Sequence, residues 1–477
     1  MNFSNTDEQT AILEAVTSSK ENLIIQALAG CAKTTTLGLI ARSLPSVETY
    51  AIAFNAAIVE ELREKLPSDV EVLTINSLGH RAIGTYLKKK PNLDKSKIYG
   101  LTKKICGLFN FPDEFYKENF NDLLTSINMA KQLGYMPPSP TASYRPLMTR
   151  DDFHDYIALS EHSEEEIEII DKVLLESYAS ALRGYIDFGD QVLLPAIMQL
   201  PLPTPALTLV DEAQDLSPCN HYVLQKLVRN RRIIAVGDSC QAIYGFRGAE
   251  ATSMSLLQGR FKMKELRLTV NFRSGTEIVE NAKWRAPLFQ ARPDAPKGEV
   301  LYLANWTPST IQPNSVILCR NNAPLFSAAV RLLKAGRAPE FVGKDVVQRL
   351  LKIMRSLGKP AMSAGQAIEN LNTWKEKRDD KSREQGVVKD QYECCLVFLR
   401  AATKLSDACD TLEALADRPG DFKLMTAHKA KGLEFDTVYF LDAKLCKDEG
   451  QDRNIRYVIE TRARDSLQYI TSKTYTG

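Results

Sequence analysis

The chain has 477 residues, 44% apolar and 25% charged, with 61 basic against 59 acidic residues and a formal net charge of +2. That length exceeds a single core and calls for roughly two to four domains, and the near-neutral balance excludes polyanion binding through global charge, leaving local patches as the only route. No apolar run approaches a membrane span, the opening M-N-F-S-N-T-D-E-Q does not read as a signal peptide, and nine cysteines without C-x-x-C spacing point to a reducing compartment with neither a disulfide framework nor a zinc or iron–sulfur site.

Asn5 to Ala11 starts a first helix, on which Gln9 could present its amide to an adenine edge; an exposed polar residue is the plainer reading. Asn22 to Gln26 predicts a short strand. It runs into A-L-A-G-C-A-K-T-T (27–35), after which Leu37, Ile40, Ala41 and Leu44 recur at helical spacing. Strand, small-residue loop, Lys-Thr and helix form the layout of a phosphate-binding loop. Backbone N–H groups of Ala29, Gly30, Cys31, Ala32 and Thr35 would wrap the phosphates, with Lys33 on the β- and γ-phosphates and the Thr34 hydroxyl on Mg²⁺. Ala27 and Ala32 stand where such loops usually have glycine.

Val47 to Asn55 predicts a second strand, ending in Phe54 and Asn55, and Val72 to Leu78 repeats the layout with Thr74 and Ser77 near the same edge. Short polar groups and an aromatic there suit single-stranded nucleic acid, although a strand Phe is more often core. Residues 85–180 read as mostly helical, with eight Lys/Arg and one acid, Asp94, between Arg81 and Lys104. That basic stripe could track a phosphate backbone or be a solvated face. Leu207 to Val210 is an apolar run that stops at Asp211-Glu212, so it predicts a buried parallel strand opening onto a site. One carboxylate can hold Mg²⁺ and the other can orient or deprotonate a water. Ile233 to Val236 leads into G-D-S-C-Q-A-I-Y-G-F-R-G-A. Gln241 there can sense a γ-phosphate, and Tyr244, Phe246 and Arg247 form an aromatic–basic cluster. Leu266 to Ser274 ends with Phe272, able to stack on a base, and Arg273, able to neutralise a transferring phosphoryl group.

The order of these motifs resembles the UvrD/Rep/PcrA family of superfamily 1 helicases. Gln9, A-L-A-G-C-A-K-T-T, A-F-N-A-A, T-I-N-S-L-G, V-D-E-A-Q-D, V-G-D-S-C-Q-A-I-Y-G-F-R-G-A and N-F-R-S occur in the family's sequence. T-A-H-K-A-K-G-L-E-F-D (426–436) and Y-V-I-E-T-R-A-R (457–464) follow. Each match is weak alone; nine in order are very specific. D-F-G-D-Q and H-K-A-K-G-L-E-F-D are nearer in wording to the F-box DNA helicase and viral members, and no F-box segment is expected ahead of the core.

The resemblance implies an α/β protein of two RecA-like parallel-sheet domains with ATP between them, each carrying a mainly helical insertion. The expected boundaries are 1–84 with 181–270 for the first domain, 85–180 for its insertion, 271–345 with 420–477 for the second domain, and 346–419 for a short second insertion. Within the latter, Trp374 to Asp390 is a mixed-charge run expected to be solvated or mobile. By resemblance, Lys33, Asp211, Glu212, Gln241, Arg273 and Arg462 are catalytic, with Thr34 and Asp211 on Mg²⁺ and the two arginines as arginine fingers. Gln9 and Phe272 would hold adenine, and Gly432 and Glu434 would lie near the γ-phosphate and ribose. Phe54, Asn55, Thr74, Ser77, Tyr244, Phe246, Arg247 and His428 would face single-stranded DNA. The implied activity is ATP-dependent DNA unwinding with Mg²⁺, 3′ to 5′ along single strands and at single/double-strand junctions. The protein is expected to be a monomer without DNA, with no membrane partner, and cytoplasmic, nucleoid-associated if bacterial or viral. A translocase that strips proteins from DNA, and a nucleotide-gated DNA-binding switch with weak hydrolysis, are the alternatives. Ala32, Ala56 (usually Lys), Asn76 (usually His) and Phe246 (usually Trp) depart from the family pattern.

Overall fold

The computed structural model describes residues 5–44, 47–109, 113–140, 142–158, 163–245, 252–379, 385–416 and 418–474. The chain divides into two compact units, Met1–Ala27 with Ala32–Leu268, and Leu28–Cys31 with Thr269–Gly477.

The first unit contains β1 (Leu23–Ala27), β2 (Thr49–Ala53), β3 (Glu71–Thr74), β4 (Asn92–Leu93), β5 (Tyr185–Ile186), β6 (Leu207–Val210), β7 (Arg232–Gly237) and β8 (Lys264–Leu268). Six of them form a parallel sheet in the order β3-β2-β6-β7-β1-β8. All four residues of β6 are buried, Thr208 among them, so the strand is mostly apolar and carries no charged residue. β4 and β5 make a separate two-stranded parallel ladder; a return of the strand–helix pattern near Tyr185 was expected from the sequence, β4 and its pairing were not. Helices Lys97–Leu108, Asp113–Leu133, Arg150–Ala158 and Glu164–Leu182 fill the stretch between the third strand and β5. Their apolar faces join one core with the sheet: Cys106, Leu123, Ile127 and Leu174 belong to the same cluster as Ile52 and Val210. Helix Ile75–Leu87 packs on helix Asp190–Ile197 at close range, because a Cβ on Gly79 would lie 1.7 Å from the Gln191 carbonyl oxygen.

The second unit contains β9 (Val270–Asn271), β10 (Gln290–Ala291), β11 (Glu299–Tyr302), β12 (Val316–Cys319), β13 (Pro339–Phe341), β14 (Phe422–Thr426), β15 (Phe435–Leu441) and β16 (Ala463–Ile470). Its parallel sheet runs β11-β16-β15-β12-β14-β13. The segment Leu266–Ser274 is therefore two strands: β8 ends in the first sheet, and β9 pairs with β10. Helices Lys344–Ser356, Ala364–Asp379, Gln385–Ala401 and Leu405–Ala416 share one core with Ile317, Leu424 and Leu441. The run Trp374–Asp390, expected to be solvated or mobile, is helical on both sides of residues 380–384, which lie outside the described residues, and most of its described side chains are exposed or partly exposed. Within it Val388 is buried and the Arg378 guanidinium lies 4.7 Å from the Trp374 ring; just outside it Leu371 is buried and the Tyr392 hydroxyl donates to Asn372 Oδ1 (2.7 Å). Dense charge on the outer faces masked a sparse apolar stripe. Among the described residues no helix is long and apolar enough to cross a membrane.

Candidate nucleotide site and strand-binding face

Helix Lys33–Ser43 opens without a side-chain cap, so its first N–H groups are left facing the loop that follows β1. Its N-cap, Ala32, adopts φ 56 and ψ 38, and Gly30 has φ 68. Glycine is the usual residue for that backbone, and a Cβ there costs on the order of 1 kcal/mol. Ala32→Gly is therefore expected to raise ATP affinity or turnover by up to about fivefold, the equivalent of that strain. Steady-state hydrolysis checks it, and an unchanged or lower rate would show that the loop has adapted to alanine. Thr34 and Thr35 follow in the first helical turn. Buried Thr36 anchors the turn, donating to the Ala32 carbonyl (3.0 Å) and accepting from Gln9 Nε2 (3.2 Å). Gln9 is buried rather than exposed, and its Oε1 accepts from Thr6 N in a capping box.

Residues Leu28–Cys31 group with the second unit. There the Asn271 side chain donates to the Ala29 carbonyl (2.7 Å), Ala29 N–H donates to the Tyr457 hydroxyl (3.2 Å), and Phe272 N–H donates to the Gly30 carbonyl (2.9 Å). A Cβ on Gly30 would lie 2.5 Å from Asn271 Nδ2, so close approach as well as positive φ requires glycine. Neither Asn271 nor Tyr457 was singled out from the sequence, although both lie inside quoted motifs.

Asp211 and Glu212 follow β6 directly. Lys33 Nζ is 3.3 Å from Glu212 Oε1. Burial lowers the Lys33 pKa, but the carboxylates of Glu212, Asp238 and Asp211 outweigh it and raise it overall. Glu212 sits at φ 50, its N–H donates to Asp211 Oδ1 (2.9 Å), and its other carboxylate oxygen accepts from Gln214 Nε2. Asp238 is the carboxylate that sequence reasoning passed over, though it stands in V-G-D-S-C-Q. It accepts from Gln241 Nε2 (2.6 Å) and from Cys240 N–H (2.9 Å), while its N–H donates to Gln214 Oε1 (2.9 Å). Gln241 is thereby tied to the acidic strand tip through Asp238 and Gln214.

Burial, then the charge of Glu212, pushes the Asp211 carboxyl from an ordinary 3.8 to about 7. Between those values the folded protein holds a proton that the unfolded chain has released. Stability from this effect is therefore present at low pH and lost as pH rises toward about 7. Asp211→Asn should lose that part of the fall in melting temperature between about pH 4 and 7, a difference that scanning calorimetry on both proteins would detect. Parallel pH curves for the two would contradict the assignment.

On the same edge of the first sheet, Phe54 follows β2 and its ring stacks on Tyr244, with centroids 5.5 Å apart and planes inclined by 16°. Asn55 caps helix Ala56–Lys65 by accepting from Ile58 N–H (3.0 Å). Thr74 and Ser77 cap helix Ile75–Leu87 reciprocally: Thr74 Oγ1 accepts from Ser77 N–H, and Ser77 Oγ from Thr74 N–H, both at 3.1 Å. Ser77 is thus in the first helical turn, not on a strand. Phe246 and Arg247 lie outside the described residues.

In the second unit, Phe272 and Arg273 follow β9, and Glu434 bridges Arg273 (2.6 Å) and Arg464. Burial raises the Glu434 pKa, but the two guanidinium groups outweigh it and hold the carboxyl below its usual range. Gly432 has φ 86, and His428 is half-buried in the short helix Ala427–Ala430. Arg462 is almost fully buried and donates to the Val458 carbonyl (3.0 Å), the Leu433 carbonyl (3.1 Å) and Thr461 Oγ1 (3.3 Å). The Arg273 guanidinium also donates to the Thr461 carbonyl (3.2 Å), so both arginines are held by one corner of the second unit.

The family model described as the UvrD/REP helicase N-terminal domain matches residues 8–262, and that of the UvrD-like helicase C-terminal domain matches residues 421–468. F-box DNA helicase protein 1 of Schizosaccharomyces pombe is 26% identical over 97% of this chain and 57% of its own length. F-box DNA helicase 1 of Gallus gallus is 25% identical over 97% of this chain and 48% of its own. The chain thus spans about half the length of these curated relatives. An arterivirus nonstructural protein 10 helicase aligns over 96% of this chain and 60% of its own, at 11% identity and a TM-score of 0.35, too remote to bear on the fold.

Proposed function

We propose that this chain, which belongs to the UvrD/REP helicase family, is an ATP-dependent DNA motor that moves 3′ to 5′ along single strands and unwinds duplex at single/double-strand junctions. The observation that carries this reading is the Lys33–Glu212 pair, set beside Asp211 at the tip of β6. A cation for the phosphates and a base for water stand together at the carboxyl edge of a parallel sheet, where open α/β folds bind ligands.

Lys33 draws the β- and γ-phosphates, and the uncapped helix behind it receives their charge through backbone N–H groups. Asp211 and Thr34 offer the hard oxygen donors that Mg²⁺ takes, and the ion when bound neutralises phosphate charge. Burial and the charge of Glu212 raise the Asp211 pKa, so a cation held there would favour its charged form. Glu212 orients and deprotonates the attacking water. Gln241, tied through Asp238 and Gln214 to the strand tip, couples the phosphate end to the Tyr244 side of its own motif. For Arg273 and Arg462, the role of neutralising the transferring phosphoryl group rests on the motif resemblance alone.

The Phe54–Tyr244 stack offers a platform for a base, with the Thr74–Ser77 turn on the same sheet edge for the backbone. Base stacking on an aromatic contributes roughly 1–3 kcal/mol. Tyr244→Ala should therefore weaken single-strand binding by about tenfold or more while leaving nucleotide affinity unchanged. Fluorescence anisotropy with a labelled oligothymidylate measures the first and a fluorescent nucleotide the second. A parallel loss of both would assign Tyr244 to the core instead.

The left-handed Ala32 supports a second reading, a nucleotide-gated DNA clamp with weak hydrolysis. Phosphate release with and without single-stranded DNA separates the two. A motor is expected to be stimulated at least about tenfold, because strand binding must lower the barrier to hydrolysis by more than about 1.4 kcal/mol to drive steps. A slow rate indifferent to DNA favours the clamp.

A further inference from the structure

The basic stripe from Arg81 to Lys104 has one member that faces inward. Lys97 is 4% exposed, and its Nζ donates to Asp190 Oδ2 (2.5 Å) and to the Ser177 carbonyl (2.7 Å). Lys131, 1% exposed on helix Asp113–Leu133, donates to Asp187 Oδ2 (2.6 Å), Asp190 Oδ1 (2.8 Å) and Ser177 Oγ (2.9 Å). Two ammonium and two carboxylate groups thus balance inside the first unit. Buried ion pairs are a weak source of stability, since apolar groups of similar volume commonly do as well or better. They demand one geometry, however, because a displaced partner leaves a bare charge in a poor solvent.

The geometry they impose is that of the turn 187–190. Asp187 N–H donates to Asp190 Oδ2 (2.9 Å) and Asp190 N–H to Asp187 Oδ1 (2.8 Å), closing it. The outer side of this turn holds Asn76, whose Nδ2 donates to the Phe188 carbonyl (2.9 Å) and to Gln191 Oε1 (3.1 Å). Asn76 lies between Thr74 and Ser77, in the first turn of helix Ile75–Leu87. A continuous chain of polar contacts therefore runs from the helical stretch to the edge assigned to the strand.

We propose that Lys97 and Lys131 are positioning residues for the grip on single-stranded DNA: they hold the Asp187–Asp190 turn so that Asn76 fixes the Thr74–Ser77 turn. The inference rests on the strand-binding role proposed above.

Two variants test it. Asp187→Asn removes one anchor of Lys131 but keeps an oxygen for the Asp190 N–H. Lys131→Met combined with Asp187→Asn removes the tether and restores charge balance around Lys97 and Asp190. Melting temperature, affinity for a fluorescent ATP analogue and affinity for a labelled oligothymidylate are measured on each, well below melting. In the double variant, melting temperature should recover relative to Asp187→Asn and nucleotide affinity should stay within about twofold, while single-strand affinity falls by about tenfold, within the range of such couplings. Parent-like single-strand affinity would leave the network a merely structural one and overturn the proposal, as would an equal loss of both affinities. Should the double variant not fold, the two affinities of Asp187→Asn decide by the same criteria. A parent protein without single-strand affinity would instead overturn the strand-binding reading itself, and this inference with it.

Discussion

Lys33→Ala is expected to reduce ATP hydrolysis by about a thousandfold, the scale of losing one preorganised charge at a phosphoryl-transfer site. The ammonium faces Glu212 at 3.3 Å and is drawn also by Asp238 and Asp211. Without it, three acidic groups would meet the triphosphate with no side-chain cation from this loop to offset them. ATP affinity should fall too, because like charges held in a poorly solvated site repel strongly. Phosphate release under saturating single-stranded DNA measures the first effect and a fluorescent nucleotide the second. Hydrolysis within a few-fold of the parent would remove Lys33 from the chemistry.

Glu212→Gln should do the opposite to binding while also abolishing turnover. In the structure Glu212 occupies Lys33, and triphosphate must compete for that ammonium. Glutamine is neutral, so it frees Lys33 and removes a negative charge from beside the γ-phosphate position. ATP should bind at least as tightly as to the parent, while turnover falls by about a hundredfold to ten-thousandfold for want of a general base. The Gln214 contact to the same side chain can persist, because an amide oxygen still accepts from it. A variant that hydrolyses at the parent rate would show that another group activates the water. One that loses ATP binding would show that Glu212 holds the loop rather than the water.

Strands of the first sheet and the acidic tip of β6 were legible in the sequence because parallel strands buried on both faces read as short apolar runs that stop at polar residues, whereas the strands of the second sheet were not read individually and its expectation came from the motif resemblance alone. The phosphate loop was legible for a related reason, although its glycine pattern is broken. Ala32 takes φ 56 regardless of its side chain, since the turn into helix Lys33–Ser43 dictates the backbone. What periodicity could not reveal is which charges face inward. Lys97 belongs to a stripe that reads as solvated, yet its partner Asp190 is 93 residues away and meets it only after the helical stretch folds back. Asp238 was hidden differently: its motif was visible, but its part in holding Gln241 requires the distance between them. Thr74 and Ser77 read as contacts for a nucleic-acid backbone, and the structure shows them as mutual helix caps, a local pairing that one sequence leaves indistinguishable from a ligand-facing pair. The mixed charges after Trp374 concealed helices because charge pattern on an outer face says little about a narrow buried stripe.

The most direct test of a DNA motor is strand displacement on three otherwise identical duplexes: one with a 3′ single-stranded tail, one with a 5′ tail and one with blunt ends. ATP with Mg²⁺ is expected to release the labelled strand from the 3′-tailed duplex, with little release from the other two and none with Glu212→Gln. Release from the 5′-tailed duplex alone would reverse the polarity. Tight binding to every tailed duplex without ATP-dependent release, together with hydrolysis indifferent to DNA, would contradict a motor altogether.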